Sequence, residues 1–336
     1  MTQTSLTFLQ IGLGSMGKRR VRNLLSLGEK NIIGFDFSAD RRKEAEETYG
    51  IRTVDSLGKL KESEYDVVII STPPEVHGDY LRFAVSTKKH FFVEVATSDD
   101  GYAEVRANKD ATVKAPSCTY RFGPAVQMMK KCVAEGKIGK VLAFQYHMGQ
   151  YLPDWHPWED YRTVYFAKKE SSACREMFAF ELVWLNYLFG STVKEVAGSI
   201  GKLSSLEMDA DDTLTSVITY ENNVRGTLLI DVISRKPFRT LRMLGSEGVL
   251  EWERFNQEVR VYNALSKQTE VIPIPKGNPE RVYVNGKEMY LDGEEMYVEE
   301  MKTFLDAVKG LAPYPYSFEE DHINLKALQT LITKRI

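Results

Sequence analysis

The sequence predicts a parallel, doubly wound α/β domain followed by an α+β domain built on a large, open, mostly antiparallel sheet. Three observations predict it. At 336 residues the chain is longer than one hydrophobic core usually grows, so two domains are expected. Through the first third, short β-branched runs alternate with helical segments, the pattern of strands joined by crossovers. Beyond residue 190, strand-like runs follow one another without helices between them, which points to an antiparallel-rich sheet.

In the first domain Leu6–Ile11, Asn31–Phe35, Ile51–Val54, Asp66–Ile70, Phe91–Val95 and Ala111–Ala115 read as strands. Helical stretches separate them: Met16–Leu27, Ala39–Tyr49, Val76–Thr87 and Tyr102–Asn108. Val21, Leu24 and Leu25 fall at helical spacing, and Gly28 and Gly50 stand just past the first two helices as stop signals. From about Tyr120 the character changes. A helix over Pro124–Glu135 leads into a strand at Val141–Met148, then an irregular stretch from Gln150 to Ser172, rich in aromatics and proline. A long helix, Ala173–Phe189, ends at Gly190. Strands are expected at Lys194–Ile200, Thr213–Tyr220, Arg225–Ile233, Thr240–Leu244, Val249–Trp252, Glu258–Tyr262 and Glu270–Ile274, with Asn222-Asn223 joining two of them in a hairpin. The tail is helical from Glu294 to Val308 and again from about Phe318. The domains are therefore placed at 1–120 and 121–317, with a C-terminal helix at 318–336 packing back toward the N-terminal domain.

Composition excludes several classes. Hydrophobic residues at 43% and charged residues at 27% are ordinary for globular domains, and a net charge of −3 provides no basic footprint for nucleic acid or an acidic membrane. The cluster Lys18-Arg19-Arg20 reads as the solvated side of a helix. Cys118, Cys132 and Cys174 are odd in number and widely spaced, so neither a disulfide framework nor a zinc signature is expected. The apolar run Leu6 to Leu13 lacks a charged lead-in and a cleavage-type site, and no stretch has the length of a membrane span. A soluble, cytoplasmic protein is the expectation.

Gly12-Leu13-Gly14-Ser15-Met16-Gly17 sets three glycines in GxGxxG spacing between the first strand and the first helix. Gly12 permits a tight turn, Gly14 lets backbone approach a pyrophosphate, and Gly17 lets the helix pack closely on the strand. The helix then presents free N–H groups and its positive dipole end to the phosphates. Asp36 ends the second strand at the offset expected of a ribose ligand. That identifies a Rossmann domain binding NAD: Asp36 accepts hydrogen bonds from the ribose hydroxyls and repels a 2′-phosphate, making NADP the less favoured cofactor. Arg41 and Arg42 oppose this preference, because a nearby guanidinium accommodates that phosphate. Asp36 also reads as a cap on the following turn. The fourth strand ends in Ser71-Thr72-Pro73-Pro74, where the nicotinamide half should lie. His77, a turn later, reads by itself as a first-turn helix histidine.

With these residues assembled, the chain resembles the glucose-fructose oxidoreductase / inositol dehydrogenase (Gfo/Idh/MocA) family over nearly its whole length. The resemblance rests on the glycine turn, Ser71-Thr-Pro-Pro-Glu-Val-His77, Phe92-Val-Glu94, Tyr120-Arg-Phe-Gly-Pro124, Gly136-Lys-Ile-Gly139 and Leu188-Phe-Gly190. It implies cofactor contacts at Gly12, Ser15, Met16, Asp36, Thr72, Pro73, His77 and Glu94. It further implies hydride transfer between nicotinamide and a sugar or cyclitol hydroxyl, with assembly as a homodimer or homotetramer through the second-domain sheet. The departures are specific. The family usually reads Glu-Lys-Pro after the fifth strand, with the lysine assisting proton transfer; here the run is Glu94-Val95-Ala96. Its usual aspartate and histidine, four residues apart on the long helix, are matched by Glu176 and Phe180.

Oxidising an alcohol by hydride transfer needs a proton acceptor within reach of the hydroxyl. Either another residue supplies it or the chain does not run that reaction. The loop from Tyr151 to Arg162 offers candidates. Trp155, Trp158 and Tyr161 can present flat faces to a sugar ring; His156 or Tyr161 can carry the proton; Arg162 can bind a phosphate or carboxylate. Equally, these aromatics can anchor the loop or fill a subunit interface. Glu176 serves either as the base or as its orienter, or only complements the helix dipole. Tyr120 and Arg121 should line the cleft beside the substrate, with Arg175 as a further clamp. His147 reads either way. Asp209, Asp211 and Asp212 read as a solvated turn, and no metal site is expected. Three functions fit: an NAD(H)-dependent oxidoreductase acting on a sugar-like substrate, such as an amino or acidic sugar or its phosphate or nucleotide conjugate; a non-catalytic dinucleotide-binding regulator or scaffold; or a carbonyl reductase using solvent or a loop residue as proton donor.

Overall fold

The computed structural model describes residues 5–155, 159–169, 171–275, 280–284, 287–291 and 293–334. The chain forms two compact units, one of residues 1–119 with 294–322, the other of residues 120–293 with 323–336.

In the first unit β1 (Phe8–Ile11), α1 (Ser15–Ser26), β2 (Ile32–Phe35), α2 (Ala39–Tyr49), β3 (Arg52–Val54), β4 (Val67–Ile70), α3 (His77–Ser86), β5 (His90–Val93), α4 (Tyr102–Ala107) and β6 (Lys114–Pro116) follow in order. The strands form one parallel sheet in the order β3-β2-β1-β4-β5-β6. Both faces are covered, so Val67-Val68-Ile69-Ile70 and Phe91-Phe92-Val93 are wholly buried rather than alternating. The order reverses between β1 and β4. Ligands of such sheets bind at that switch point, beyond the carboxyl ends of the strands.

The helix α8 (Glu294–Val308) belongs to this unit, not to the second domain to which the sequence reading assigned 294–317. Its apolar stripe explains why. Met301, Phe304 and Leu305 join Phe8, Val21, Leu24 and Phe92 in one core, with Phe304 and Phe92 rings 5.7 Å apart. Its polar face meets α1: Glu294 accepts from Arg19 (2.9 Å) and Asn23 (2.9 Å), and Glu300 pairs with Arg20 (2.8 Å). Arg20, expected on a solvated face, is therefore completely buried.

The second unit contains α5 (Pro124–Ala134), β7 (Val141–Tyr151), the single turn α6 (Leu152–Trp155), α7 (Ala173–Phe189), β8 (Val193–Gly201), β9 (Thr213–Tyr220), β10 (Arg225–Asp231), β11 (Ile233–Gly245), β12 (Gly248–Glu253), β13 (Glu258–Asn263), β14 (Gln268–Pro273), and the hairpin β15 (Glu280–Val284) with β16 (Lys287–Leu291). The sheet runs β14-β13-β12-β11-β7-β10-β9-β8, antiparallel except where β7 and β10 lie parallel. Phe144, Tyr146 and Met148 alternate onto the buried face with Leu228, Ile230, Leu241 and Met243; α7 supplies Phe178, Leu182, Trp184 and Leu185 to the same core. Gly190, at φ +61, ends α7 in the left-handed conformation that glycine takes without strain.

The expected strand Arg225–Ile233 breaks at Val232, because Asp231 Oδ1 accepts from the N–H groups of Ile233 (3.1 Å) and Ser234 (2.8 Å) and turns the chain. β11 then begins early, its register slipping between Ile233 and Phe238 around Pro237, which has no N–H to give the ladder. The final helix α9 (Phe318–Thr333) begins in the first unit, where Phe318 meets Phe91 and Tyr102, and continues in the second, where Asn324 bonds Asn186 (2.8 Å).

Candidate active site

β1 ends at Gly12, whose φ of +87 starts the turn; a Cβ there would lie 2.4 Å from the Ser71 carbonyl oxygen. A Cβ on Gly17 would lie 1.9 Å from the Gly12 carbonyl oxygen, so α1 sits directly against the turn. Gly14 is different. A Cβ there would meet only the Arg41 guanidinium, at 3.8 Å, so the front of the turn is open. The first turn of α1, Ser15-Met16-Gly17, has neither an acidic residue nor a side-chain cap. Its N–H donors are left for an anion.

Asp36 is buried beside the turn. Its Oδ2 accepts from the Leu13 N–H (2.9 Å) and its Oδ1 from the Ser38 N–H (2.8 Å), so it caps the turn after β2 and stays fixed next to the glycines. At the end of β4, Thr72 Oγ1 is buried with no partner among the described residues, a polar atom waiting for a ligand. Two glycines with no room for a Cβ, an open third, free helix N–H groups, a fixed carboxylate and an orphaned hydroxyl together fit a dinucleotide; Gly12, Gly14, Ser15, Met16 and Gly17 could hold its pyrophosphate, Asp36 its adenosine ribose, and Ser71, Thr72 and Pro73 its nicotinamide end.

His77 is buried at the start of α3 and its Nε2 donates to the Thr72 carbonyl (2.9 Å), so it holds the Ser71–Pro74 segment in place. Burial pushes its pKa down to about 4 from 6.5, leaving the ring neutral. An unfolded chain takes up this proton below pH 6.5 while the folded chain does not until about pH 4, so stability falls as pH falls through that window. The expected loss is roughly 3 kcal/mol, read as a drop in thermal midpoint between pH 7 and pH 4.5 that His77→Gln makes shallower. Glu94 is clamped by Arg20 through Nε (2.7 Å) and Nη2 (3.0 Å), and accepts a longer bond from Ser71 Oγ (3.3 Å). The same guanidinium reaches Glu300, which also accepts from Cys118 N–H (2.5 Å), Ser117 Oγ (3.1 Å) and the Thr119 hydroxyl.

In the second unit Glu176 stands in the first turn of α7, where the Tyr165 hydroxyl donates to its Oε1 (3.3 Å). One turn on, Phe180 packs against Tyr120, ring centres 5.5 Å apart. Arg239 lies over the Tyr120 ring (4.8 Å), donates to the Tyr120 hydroxyl (3.1 Å) and pairs with Glu181 (2.9 Å). Glu181 is completely buried and also accepts from Tyr146 Oη (2.7 Å) and Trp184 Nε1 (2.5 Å). Burial beside Glu181 pushes the Tyr146 hydroxyl pKa well up. Sequence reasoning missed this pair, although a lone carboxylate inside the apolar run Met177–Phe189 was a signal that a buried partner must exist.

The guanidiniums expected to clamp substrate are each engaged within the unit. Arg121 donates to the Val183 carbonyl (3.0 Å) beneath Tyr187, and Arg175 pairs with Asp211 (2.8 Å) in a buried contact. Arg162 holds Asp160 and Glu207 (2.8 Å each). Tyr161 Oη accepts from the Glu207 N–H (3.1 Å), and Trp155 stacks on Phe166 at 4.9 Å. The expected His156 and Trp158 lie outside the described residues. Asp211 and Asp212 do not form a solvated turn: both are buried, and Asp212 accepts from the N–H groups of Leu203 (2.7 Å) and Ser204 (2.8 Å). His147 Nε2 bonds Asp231 (2.8 Å).

The glycine turn with Asp36 on a six-stranded parallel sheet defines the class: a Rossmann-fold protein built to bind a dinucleotide. The chain belongs to the Gfo/Idh/MocA family. The model of the oxidoreductase family NAD-binding Rossmann fold matches residues 6–114, and that of the GFO/IDH/MocA C-terminal domain matches residues 126–251. Among curated proteins, the uncharacterized oxidoreductase YrbE of Bacillus subtilis (strain 168) is 26% identical over 238 residues, covering 68% of this chain and 67% of its own. The scyllo-inositol 2-dehydrogenase (NAD(+)) of the same organism is 23% identical over 279 residues, 78% of each chain. Among solved structures, a levoglucosan dehydrogenase in complex with NADH and levoglucosan superposes with a TM-score of 0.79 at 19% identity, over 98% of this chain and 96% of that one. No helix among the described residues is long and apolar enough to cross a membrane.

Proposed function

We propose that the protein transfers hydride between NAD and a ring hydroxyl, or the corresponding carbonyl, of a sugar-like substrate, with Glu176 accepting or returning the hydroxyl proton. The observation that carries this reading is the Tyr165–Glu176 hydrogen bond at the start of α7, the position at which the resembled family keeps its acid/base carboxylate. Val95 replaces the usual lysine and Phe180 the usual histidine, so Glu176 is the titratable group left from that set. A neighbouring hydroxyl that donates to the carboxylate fixes its orientation, a requirement of general-base transfer. The relatives named for scyllo-inositol and levoglucosan support a polyhydroxylated ring as substrate class; an amino or acidic sugar, free or as a phosphate or nucleotide conjugate, stays within it. When bound, the nicotinamide supplies the hydride acceptor or donor; the chain orients the ring and moves the proton.

Glu176→Gln is expected to lower kcat about 10²- to 10⁴-fold in an NADH-linked assay over a sugar and cyclitol panel, with little change in NADH affinity. Full turnover in Glu176→Gln would overturn the acid/base assignment, and a loss in His156→Ala alone would move the role to the loop. Assembly is proposed through the outer face of the eight-stranded sheet. Strand register places Val217, Leu244, Tyr262 and Val271 on one side with Gln145, and all four apolar side chains are exposed. Three buried free cysteines support work in a reducing compartment such as the cytoplasm.

A further inference from the structure

Arg20 carries one positive charge between two carboxylates, which reach it from distant parts of the first unit. Its Nε and Nη2 clamp Glu94, just past β5 (2.7 and 3.0 Å), and Nη2 also reaches Glu300 on α8 (2.8 Å). Nη1 is buried with no acceptor among the described residues, so no further carboxylate bonds it there. With both carboxyls ionised, one negative charge is in excess. The cluster is dry: Arg20 lies between the Phe92 ring (4.5 Å) and the Tyr297 ring (5.3 Å), and both Arg20 and Glu300 are completely buried. A charge in such surroundings acts over a longer range than one in water. The other groups facing Glu300 do not cancel it. Ser117 Oγ (3.1 Å), Cys118 N–H (2.5 Å), the Thr119 hydroxyl and Tyr314 Oη (3.4 Å) are neutral donors, and Glu294, on its own helix, is taken by Arg19 and Asn23. Burial pushes the Glu300 pKa up against the lowering effect of Arg20. The open end of the cluster is Glu94, whose side chain is 13% exposed and accepts from Ser71 Oγ (3.3 Å). Ser71 precedes Thr72, whose orphaned hydroxyl fits the nicotinamide end, and His77 beside this segment stays neutral.

We propose that this buried excess of negative charge makes the site favour the oxidised dinucleotide over the reduced one, with Glu300 setting the preference from behind Arg20. The oxidised nicotinamide ring is positively charged and the reduced ring is neutral, so the field of the cluster favours one and not the other. Glu300 is a positioning residue: it draws on the Arg20 charge, which would otherwise fall wholly on Glu94. A unit charge about 10 Å away, at an effective permittivity of about 20, changes binding of a cation roughly tenfold. The inference rests on the dinucleotide site and is independent of the substrate proposed above.

Calorimetric titration of the full chain with NAD⁺ and with NADH tests it. Glu300→Gln, close in shape but uncharged, should weaken NAD⁺ roughly five- to twentyfold. NADH should change less than about twofold and so report that the variant is folded. Glu300→Asp keeps the charge and should keep the wild-type ratio of the two affinities, even if both fall. A second arm needs no variant. As pH is lowered from about 8 to about 5.5, protonation of Glu300 removes the excess charge, and the wild-type ratio should move toward that of Glu300→Gln. A merely structural role for Glu300 would weaken both dinucleotides equally. That result, a Glu300→Asp chain that loses the preference, or a wild-type ratio independent of pH would overturn the proposal. Binding of neither dinucleotide to the wild type would overturn it together with the cofactor site.

Discussion

Gly17→Ala and Gly14→Ala are both expected to lose NADH affinity, but only the first at the expense of stability. The Cβ added at Gly17 would lie 1.9 Å from the Gly12 carbonyl oxygen and 2.7 Å from its carbon, and neither atom is the end of a flexible side chain. α1 must lift off β1, which costs about 3 kcal/mol as overpacking against backbone and carries the Ser15 and Met16 N–H groups away from the phosphates. Gly17→Ala should therefore lower both the urea midpoint and NADH affinity, the latter by about a hundredfold or more. At Gly14 the added Cβ meets nothing nearer than 3.8 Å and the backbone φ of −69 suits alanine. Gly14→Ala should keep wild-type stability to within about 0.5 kcal/mol yet lose NADH affinity, because the methyl fills the space a pyrophosphate needs. Unchanged NADH affinity in Gly14→Ala would show that the open front of the turn is not a ligand site.

Arg20→Met should be the most destabilising single change in the first unit. The guanidinium is completely buried, stacked over Phe92 (4.5 Å), and it is the cation shared by Glu94 and Glu300. Removing one partner of a buried ion pair typically costs about 3–5 kcal/mol, since the carboxylates left behind can be neither solvated nor paired. Burial already pushes the Glu300 pKa up, against the lowering effect of Arg20. Without the arginine the Glu300 carboxyl should hold its proton to higher pH. A folded-state pKa raised above the unfolded value gives stability in acid that is lost as pH rises. The deficit of Arg20→Met should thus shrink below the usual carboxylate range and widen above it. Glu300→Gln in the same chain should recover part of it. A pH-independent deficit, measured by denaturant midpoint, would contradict the shared-cation account.

Legibility in the sequence followed the range of the interactions concerned. The glycine turn and Asp36 were readable because strand, turn, helix and carboxylate all lie between residues 6 and 36 and each obeys a local rule. That the first sheet is parallel and doubly wound was readable from the alternation of strands and helices. Membership of α8 in the first unit was not readable: its apolar stripe would fit many sheet faces, and the core it joins and the α1 partners of Glu294 and Glu300, some 275 residues earlier, are brought in by folding. For the same reason Arg20 looked like one of three solvated basic residues. Asp211 and Asp212 resembled a polar turn because their partners, Arg175 and the Leu203–Ser204 backbone, are brought in by folding. The pairing of β15 with β16 was not among the expected strands, because charged residues interrupt both runs. In the second unit the position of Glu176 was legible through the family's pattern, whereas its Tyr165 partner came from a loop with no periodicity to announce it.

Fluorescence titration of the purified chain with NADH is the most direct measurement of the central claim, that the turn from Gly12 to Gly17 and Asp36 together hold a nicotinamide dinucleotide. One saturable site per chain is predicted, in the micromolar range, with Asp36→Ala weakening it about tenfold or more. The absence of saturable binding, or an Asp36→Ala chain that binds as tightly as the wild type, would contradict it.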